Sequence, residues 1–222
     1  MSLKVAQELK SRFPGLFALT AYIDGVEAGR SDERFRKFAE QISEETRKQY
    51  NLESLKDVPV LRAYRDFFWK VGIDPTKVRP AAEALIRRIL LGKQIPIINN
   101  LVDAYNLASI KTCIALAAFD RDLLKGELLM RQAGRGDRFL GIGMQEPKEL
   151  AGGEIVVADD EKLVAIYPYR DAEETKISNS TENVLLLICG VPEIRWDTLV
   201  EAGEVAIEYV TRFCGGEARR EW

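Results

Sequence analysis

Residues 80–120 read PAAEALIRRILLGKQIPIINNLVDAYNLASIKTCIALAAFD, and three changes of element fall inside this stretch. Pro80 opens a helix at a first-turn position and Gly92 closes it, with Ala82, Leu85, Ile86 and Ile89 on one face. A short apolar run, Ile95 to Ile98, follows. Asn99 or Asn100 then caps a second helix, whose buried side carries Leu101, Val102, Tyr105, Ala108 and Thr112. That periodicity leaves Asp103, Asn106 and Lys111 at other angles. Ile114 to Phe119 is short and apolar, a buried strand that Asp120 ends.

Toward the N-terminus, Lys4 to Arg12 has the pattern of a short helix stopped by Pro14-Gly15. Leu16 to Ile23 reads as a strand on its apolar content and its Thr20 and Tyr22. Ser31 is placed to cap the next helix, with Asp32 and Glu33 in its first turn and Phe35, Phe38, Ala39 and Ile42 on one face. Pro59 opens another, in which Leu61, Tyr64, Phe68 and Val71 repeat at helical spacing until Gly72 and Asp74-Pro75 stop it. The aromatic cluster Tyr64, Phe67, Phe68 and Trp69 could stack bases, but its helical period makes it core.

Beyond Asp120 the pattern turns to strands. Glu127 to Ala133 and Arg138 to Ile142 flank Gly134-Arg135-Gly136-Asp137, a turn or hairpin signal. Glu154 to Ala158 and Lys162 to Tyr167 flank Asp159-Asp160-Glu161, a second hairpin. Asn183 to Cys189 is an interior strand ended by Gly190-Val191-Pro192. A strong helix closes the chain over about residues 197–214, with Thr198 and Glu201 at capping-box spacing and Gly215-Gly216 beyond its end. Helices, then antiparallel strands, then a helix is an α+β order. With no internal repeat and no low-complexity linker, residues 1–222 read as a single compact domain with an N-terminal helical layer over 1–72.

Composition narrows the function. The 222 residues are 46% hydrophobic and 30% charged, enough to build a sizeable core. No apolar run approaches the roughly 20 residues that span a bilayer, and MSLKVAQELK lacks the apolar centre of a signal peptide, so a cytoplasmic protein is expected. Cys113, Cys189 and Cys214 are odd in number and far apart, which favours buried reduced thiols. The sequence contains no histidine. That excludes a Ser-His-Asp or Cys-His nucleophile, a His-ligated metal and a His general base, and neither a metal nor a cofactor is expected. The formal net charge of −3 supplies no global basic field for nucleic acid, so any basic stripe is local.

Among the polar residues, Gly134-Arg135-Gly136-Asp137 lacks the lysine and hydroxyl of a phosphate loop, and Gly141-Ile142-Gly143 is half a dinucleotide fingerprint without the rest. Asp159, Asp160 and Glu161 lack the calcium-loop spacing. Tyr169-Arg170-Asp171, followed by Thr175-Lys176 and Thr181-Glu182-Asn183, makes a long polar segment between two strands. It is either a substrate-holding loop or one that satisfies its own backbone.

Arg79-Pro80 with Glu83, then Asn99-Asn100-Leu-Val-Asp103-Ala-Tyr105-Asn106, then Ala-Phe-Asp120 closely resemble the editing and tRNA-binding domain of the phenylalanyl-tRNA synthetase beta subunit. The likeness is greatest to free-standing proteins made of this domain alone. It continues through Leu-Met-Arg131, Gly152-Gly153-Glu154, Tyr-Arg170-Asp171, Thr175-Lys176 and Thr181, and so covers a core of about 79–190. The resemblance implies a three-layered α+β fold, a β-sandwich of unusual topology flanked by helices.

It also implies binding of a tRNA acceptor end, and hydrolysis in trans of mischarged aminoacyl-tRNA by a water placed against the ester carbonyl. With no aminoacylation module, the chain is not expected to charge tRNA. In the family motif a Thr-Asn pair falls on Tyr105-Asn106, which leaves Asn106 as the catalytic candidate. The family histidine falls on Ala117, and the glutamate that recognises the tyrosine hydroxyl falls near Leu187. Asn100, Asp103, Tyr105, Asp120, Glu154, Thr175 and Thr181 are the implied substrate-binding positions, with Asn100, Asp103 and Asn106 expected in one concave site. Lys111, Arg131, Arg135, Arg138, Arg170 and Lys176 are the bases nearest the motifs and the expected RNA contacts. The expected partner is tRNA or aminoacyl-tRNA, not DNA or a membrane. Without histidine, no titration near pH 6.5 of the histidine kind is expected. The alternative is a non-catalytic binder of an amino-acid-like small ligand or a protein partner.

Overall fold

The structure is a computed structural model, and residues 3–222 are described. Met1 and Ser2, the first residues of the expected domain and of its helical layer, lie outside them. In chain order the elements are β1 (Leu3–Val5), α1 (Gln7–Arg12), β2 (Ala18–Asp24), α2 (Glu33–Gln49), α3 (Pro59–Lys70), α4 (Ala81–Leu90), α5 (Asn100–Thr112) and β3 (Ala115–Asp120). Then come β4 (Leu128–Gln132), β5 (Arg138–Phe139), β6 (Lys148–Glu149), β7 (Ile155–Ala158), β8 (Leu163–Ile166), β9 (Arg170–Asp171), β10 (Asn183–Cys189), α6 (Trp196–Cys214) and β11 (Glu217–Arg220).

The strands form a sheet ordered β11-β2-β10-β3, a second ordered β1-β4-β7-β8-β9, and the short pair β5-β6. β10 pairs antiparallel with β2 on one side and β3 on the other. Both of its faces are covered, so the strand is apolar along nearly its whole length instead of alternating. Helices flank the sheets, and one buried apolar cluster joins α3, α4, α5 and α6 to both sheets. This is the expected α+β architecture. Few sequence neighbours pair, which accounts for the irregular topology.

α5 is capped by Asn99, whose side chain accepts from Val102 N–H, and ends at Cys113 with φ 61°. The expected one-sided amphipathic helix is instead buried almost all round, because α2, α4, α6 and β3 all pack on it. Asp103 is therefore buried and Tyr105 only partly so, the reverse of the periodicity reading. Asp32, not Ser31, caps α2 by accepting from Phe35 N–H at 2.7 Å, while the Ser31 hydroxyl donates to Asp103 at 2.8 Å.

Other departures are local. The Lys4–Arg12 helix is divided, because β1 pairs parallel with β4 and only residues 7–12 coil. The segment before Gly72 thus contributes strands to both sheets as well as helices. The strands around Gly134–Asp137 do not form a hairpin with each other: β4 pairs with β1 and β7, and β5 pairs with β6. Asp137 accepts from Gly134 N–H and from Arg131, both at 3.0 Å, and turns the chain out of the sheet there. β7 and β8 do form the expected hairpin around Asp159-Asp160-Glu161. α6 starts at Trp196 with no side-chain cap, so the Thr198–Glu201 spacing falls inside the helix. β11, unexpected from its Glu-Ala-Arg-Arg sequence, adds to the edge of β2.

Candidate functional site

The register of β3 on β10 sets Ala117 opposite Leu187 and Ala115 opposite Cys189. Side chains alternate along a strand, so these four share one face. They line a cavity of about 100 Å³ together with residues 165–171 of the other sheet and Ala81 at the start of α4. Residues 165–171 run from β8 through the cis Tyr167–Pro168 bond into β9, where Asp171 pairs with Ala165.

Two tyrosines brace the rim. Tyr64 donates to the Cys189 carbonyl and accepts from Ala115 N–H at 3.1 Å, and Tyr167 donates to the Gly190 carbonyl. Gly190 itself has no room for a side chain, since a Cβ there would lie 2.4 Å from the Phe17 carbonyl oxygen. The rim is thus held by buried hydrogen bonds from α3 to β3 and β10, and from the residue after β8 to the one after β10.

Asp171 is the one acidic residue in the lining. Among the described residues no hydrogen bond or ion pair engages its carboxylate. Burial pushes the carboxyl up to about 7. Arg170 does not neutralise it: its guanidinium donates to the Ile142 carbonyl at 3.4 Å and lies 5.3 Å from the Tyr169 ring centroid. The effect of Asp171 reaches α5 and β10. Burial first, and then the Asp171 charge, raises both the Tyr105 phenol and the Cys189 thiol. A histidine-free chain thus carries a group that titrates near neutrality.

The expected substrate positions are spread over several places. Asn100 is committed to the fold: it accepts from Gly29 N–H at 2.7 Å and donates to the carbonyls of Glu27 at 2.9 Å and Phe213 at 3.2 Å. Asp103 accepts from Ile98 N–H at 2.9 Å and lines a different hollow, of about 380 Å³, between α2 and residues 92–97. Burial raises its carboxyl, and the bonds from Ile98 and Ser31 pull it back. Asp120 accepts from the buried Thr181 hydroxyl at 2.7 Å. Thr175 is fully buried with its hydroxyl unpaired, and Glu154 accepts from Ala151 N–H at 3.1 Å while its other oxygen is buried without a partner. Asn106 is partly buried on α5, its amide makes no hydrogen bond to another described residue, and it lines neither the hollow at Asp103 nor the cavity between the sheets, so Asn100, Asp103 and Asn106 do not share the one concave site expected of them.

The basic residues are equally dispersed. Lys111 pairs with Glu45 at 2.8 Å, and Lys176 pairs with Glu173. Arg131 and Arg138 line a hollow of about 360 Å³ beside Asp137, Asp159, Asp160, Glu161 and Glu174, so acids dominate it. Arg135 is exposed on its turn, and only Arg170 reaches the cavity between the sheets. Asp171 stands in a motif the sequence marks as notable, but its adjacency to Arg170 suggests a local ion pair. Nothing in the local sequence signals an unpaired carboxylate between two sheets.

Residues 63–215 match the B3/4 domain family. The chain is 32% identical over 114 residues to the phenylalanine–tRNA ligase beta subunit of Fusobacterium nucleatum, covering 51% of this chain and 14% of that protein. It is 34% identical over 111 residues to the corresponding subunit of Geobacter metallireducens, covering 49% of this chain and again 14% of the relative. The chain therefore spans about a seventh of these relatives. In fold it is similar to an N-terminal fragment of the Pyrococcus horikoshii phenylalanyl-tRNA synthetase beta subunit, with a TM-score of 0.52 and 15% identity over 98% of this chain and 50% of the fragment.

Proposed function

Because this chain belongs to the B3/4 domain family, we propose that it binds the acceptor end of a tRNA and hydrolyses mischarged aminoacyl-tRNA in trans, in the cytoplasm. It acts as one unit whose working core is residues 79–190. The observation that carries this reading is the cavity between the sheets. Ala117 and Leu187, the positions that correspond to the family's polar site groups, form a directly opposed pair on its wall. This pairing supports reading the cavity as the place of the substrate, with apolar groups in place of the histidine and the glutamate.

The chemistry open to such a site is water attack on the ester carbonyl. The water oxygen bonds to the carbonyl carbon, the bond to the ribose oxygen breaks, and that oxygen takes up a proton. The products are a free amino acid and a tRNA hydroxyl. Asn106 is proposed to position the water or polarise the carbonyl, since its amide is free of partners within the fold. The terminal hydroxyl of the tRNA can carry the proton. Lys111, Arg131, Arg135, Arg138, Arg170 and Lys176 are proposed as phosphate contacts, with Arg170 nearest the cavity.

A second reading, binding without turnover, is favoured by the apolar Ala117 and Leu187 themselves. A deacylation assay over a panel of aminoacyl-tRNAs separates the two. Hydrolysis above the uncatalysed rate that falls in Asn106→Ala supports the enzyme. Binding of tRNA with no hydrolysis across the panel supports the binding module.

A further inference from the structure

The same cavity carries a statement about what enters it, which rests on the reading that it receives the aminoacyl group. We infer that the cavity between the two sheets takes a small, aliphatic amino-acid moiety and holds its ammonium group on the Asp171 carboxylate. Three features of the site support this.

The first is size. At about 100 Å³ the cavity has room for roughly three waters, and it is smaller than the ~150 Å³ apolar cavity that accepts a benzene ring. Ala115, Ala117, Leu187, Ala165 and Cys189 give it a small apolar interior. That volume suits an alanine-sized group better than an aromatic ring.

The second is charge. A carboxylate held half-buried against apolar walls is costly unless it is paired. Asp171 has no cation among the described residues, because Arg170 is turned to the Ile142 carbonyl and the Tyr169 ring. A ligand ammonium supplies the missing counter-charge. The third feature is the single acid. A divalent metal requires several oxygen ligands, and the described residues contain no cluster of three or more His, Cys, Asp or Glu side chains that could hold one. One carboxylate in apolar walls suits a primary ammonium ion.

The test uses unreactive probes at pH 7, with binding followed by calorimetry or NMR. L-alaninamide is compared with N-acetyl-L-alaninamide, which lacks the ammonium group, and with L-tyrosinamide, which is too large. The intact protein and Asp171→Asn are titrated alongside an uncharged tRNA. Expected is saturable alaninamide binding that weakens by at least ~30-fold in Asp171→Asn, with no saturable binding of the acetylated or aromatic amide. Equal binding of alaninamide to Asp171→Asn, equal binding of the acetylated amide, or equal binding of tyrosinamide overturns the inference. So does the absence of alaninamide binding in a protein that binds tRNA, which leaves the tRNA reading standing. Asp171-dependent alaninamide binding in a protein that fails to bind tRNA keeps the inference and removes the tRNA reading.

Discussion

Asp171→Asn should stabilise the protein, and increasingly so as pH rises. In the folded chain the carboxyl titrates at about 7, lifted by burial from 3.8. The folded state therefore holds a proton over a pH range in which the unfolded state has lost it, and stability falls with pH across that window. Below pH ~3.8 both states are protonated and the cost vanishes. At ~1.4 kcal/mol per pKa unit, the cost is about 1.5 kcal/mol at pH 5 and reaches its full value, about 4 kcal/mol, above pH 7. Solvent entering through the cavity mouth makes these upper figures. The unpaired amide of the asparagine carries a penalty of its own, but one that does not change with pH. The readout is therefore the gap between the two proteins in urea unfolding at pH 5 and pH 8. It should widen by about 2.5 kcal/mol, or roughly 1 M in midpoint for an m-value near 2.5 kcal/mol/M. A gap that stays constant between pH 5 and pH 8 would refute the claim that the half-buried Asp171 carboxyl has no partner.

The remaining expectations are more local. Tyr64→Phe removes a buried hydroxyl that bridges β10 and β3 and should cost about 1–3 kcal/mol in denaturant unfolding; an unchanged midpoint would mean the bridge is not formed. Arg170→Ala combined with Lys176→Ala should weaken tRNA binding and reduce the slope of log affinity against log salt by roughly 1.5, and an unchanged slope would remove both from the RNA contacts. Cys113, Cys189 and Cys214 are all buried, and burial raises each thiol. The native protein should thus resist thiol reagents until it unfolds, as a timed labelling assay with and without denaturant would show.

The parts of the fold legible in the sequence are those with long apolar periods and strong punctuation. α3 and α4 lie between their proline starts and glycine stops. β10 reads as interior because its seven residues are almost all apolar, and the β7-β8 hairpin because three acids mark its turn. What stayed hidden depends on tertiary partners. β1 is three residues long and exists because β4 offers it a parallel edge, and β11 lies on the edge of β2 despite a sequence rich in charge. Asp103 falls off the apolar face in the periodicity, but packing on all sides of α5 encloses it.

The site divides in the same way. The resemblance sets one family site group on Ala117 and another near Leu187, and the strand register pairs these two residues directly. Asn100, Asp120 and Thr181 carry polar groups that the fold uses for its own connections. Asp171 could not be recognised as unpaired, because local sequence does not tell which way Arg170 turns.

The central claim is that this cavity receives the aminoacyl end of a tRNA. The most direct measurement is the hydrolysis rate of a panel of aminoacyl-tRNAs, from alanyl to tyrosyl, with wild type and Asn106→Ala. Wild type should exceed the uncatalysed rate on the smaller aminoacyl groups and not on tyrosyl-tRNA. Asn106→Ala should lose most of that rate while unfolding within about 1 kcal/mol of wild type, as expected for a half-buried amide that makes no hydrogen bond. No hydrolysis of any member of the panel, together with no binding of tRNA, would contradict it.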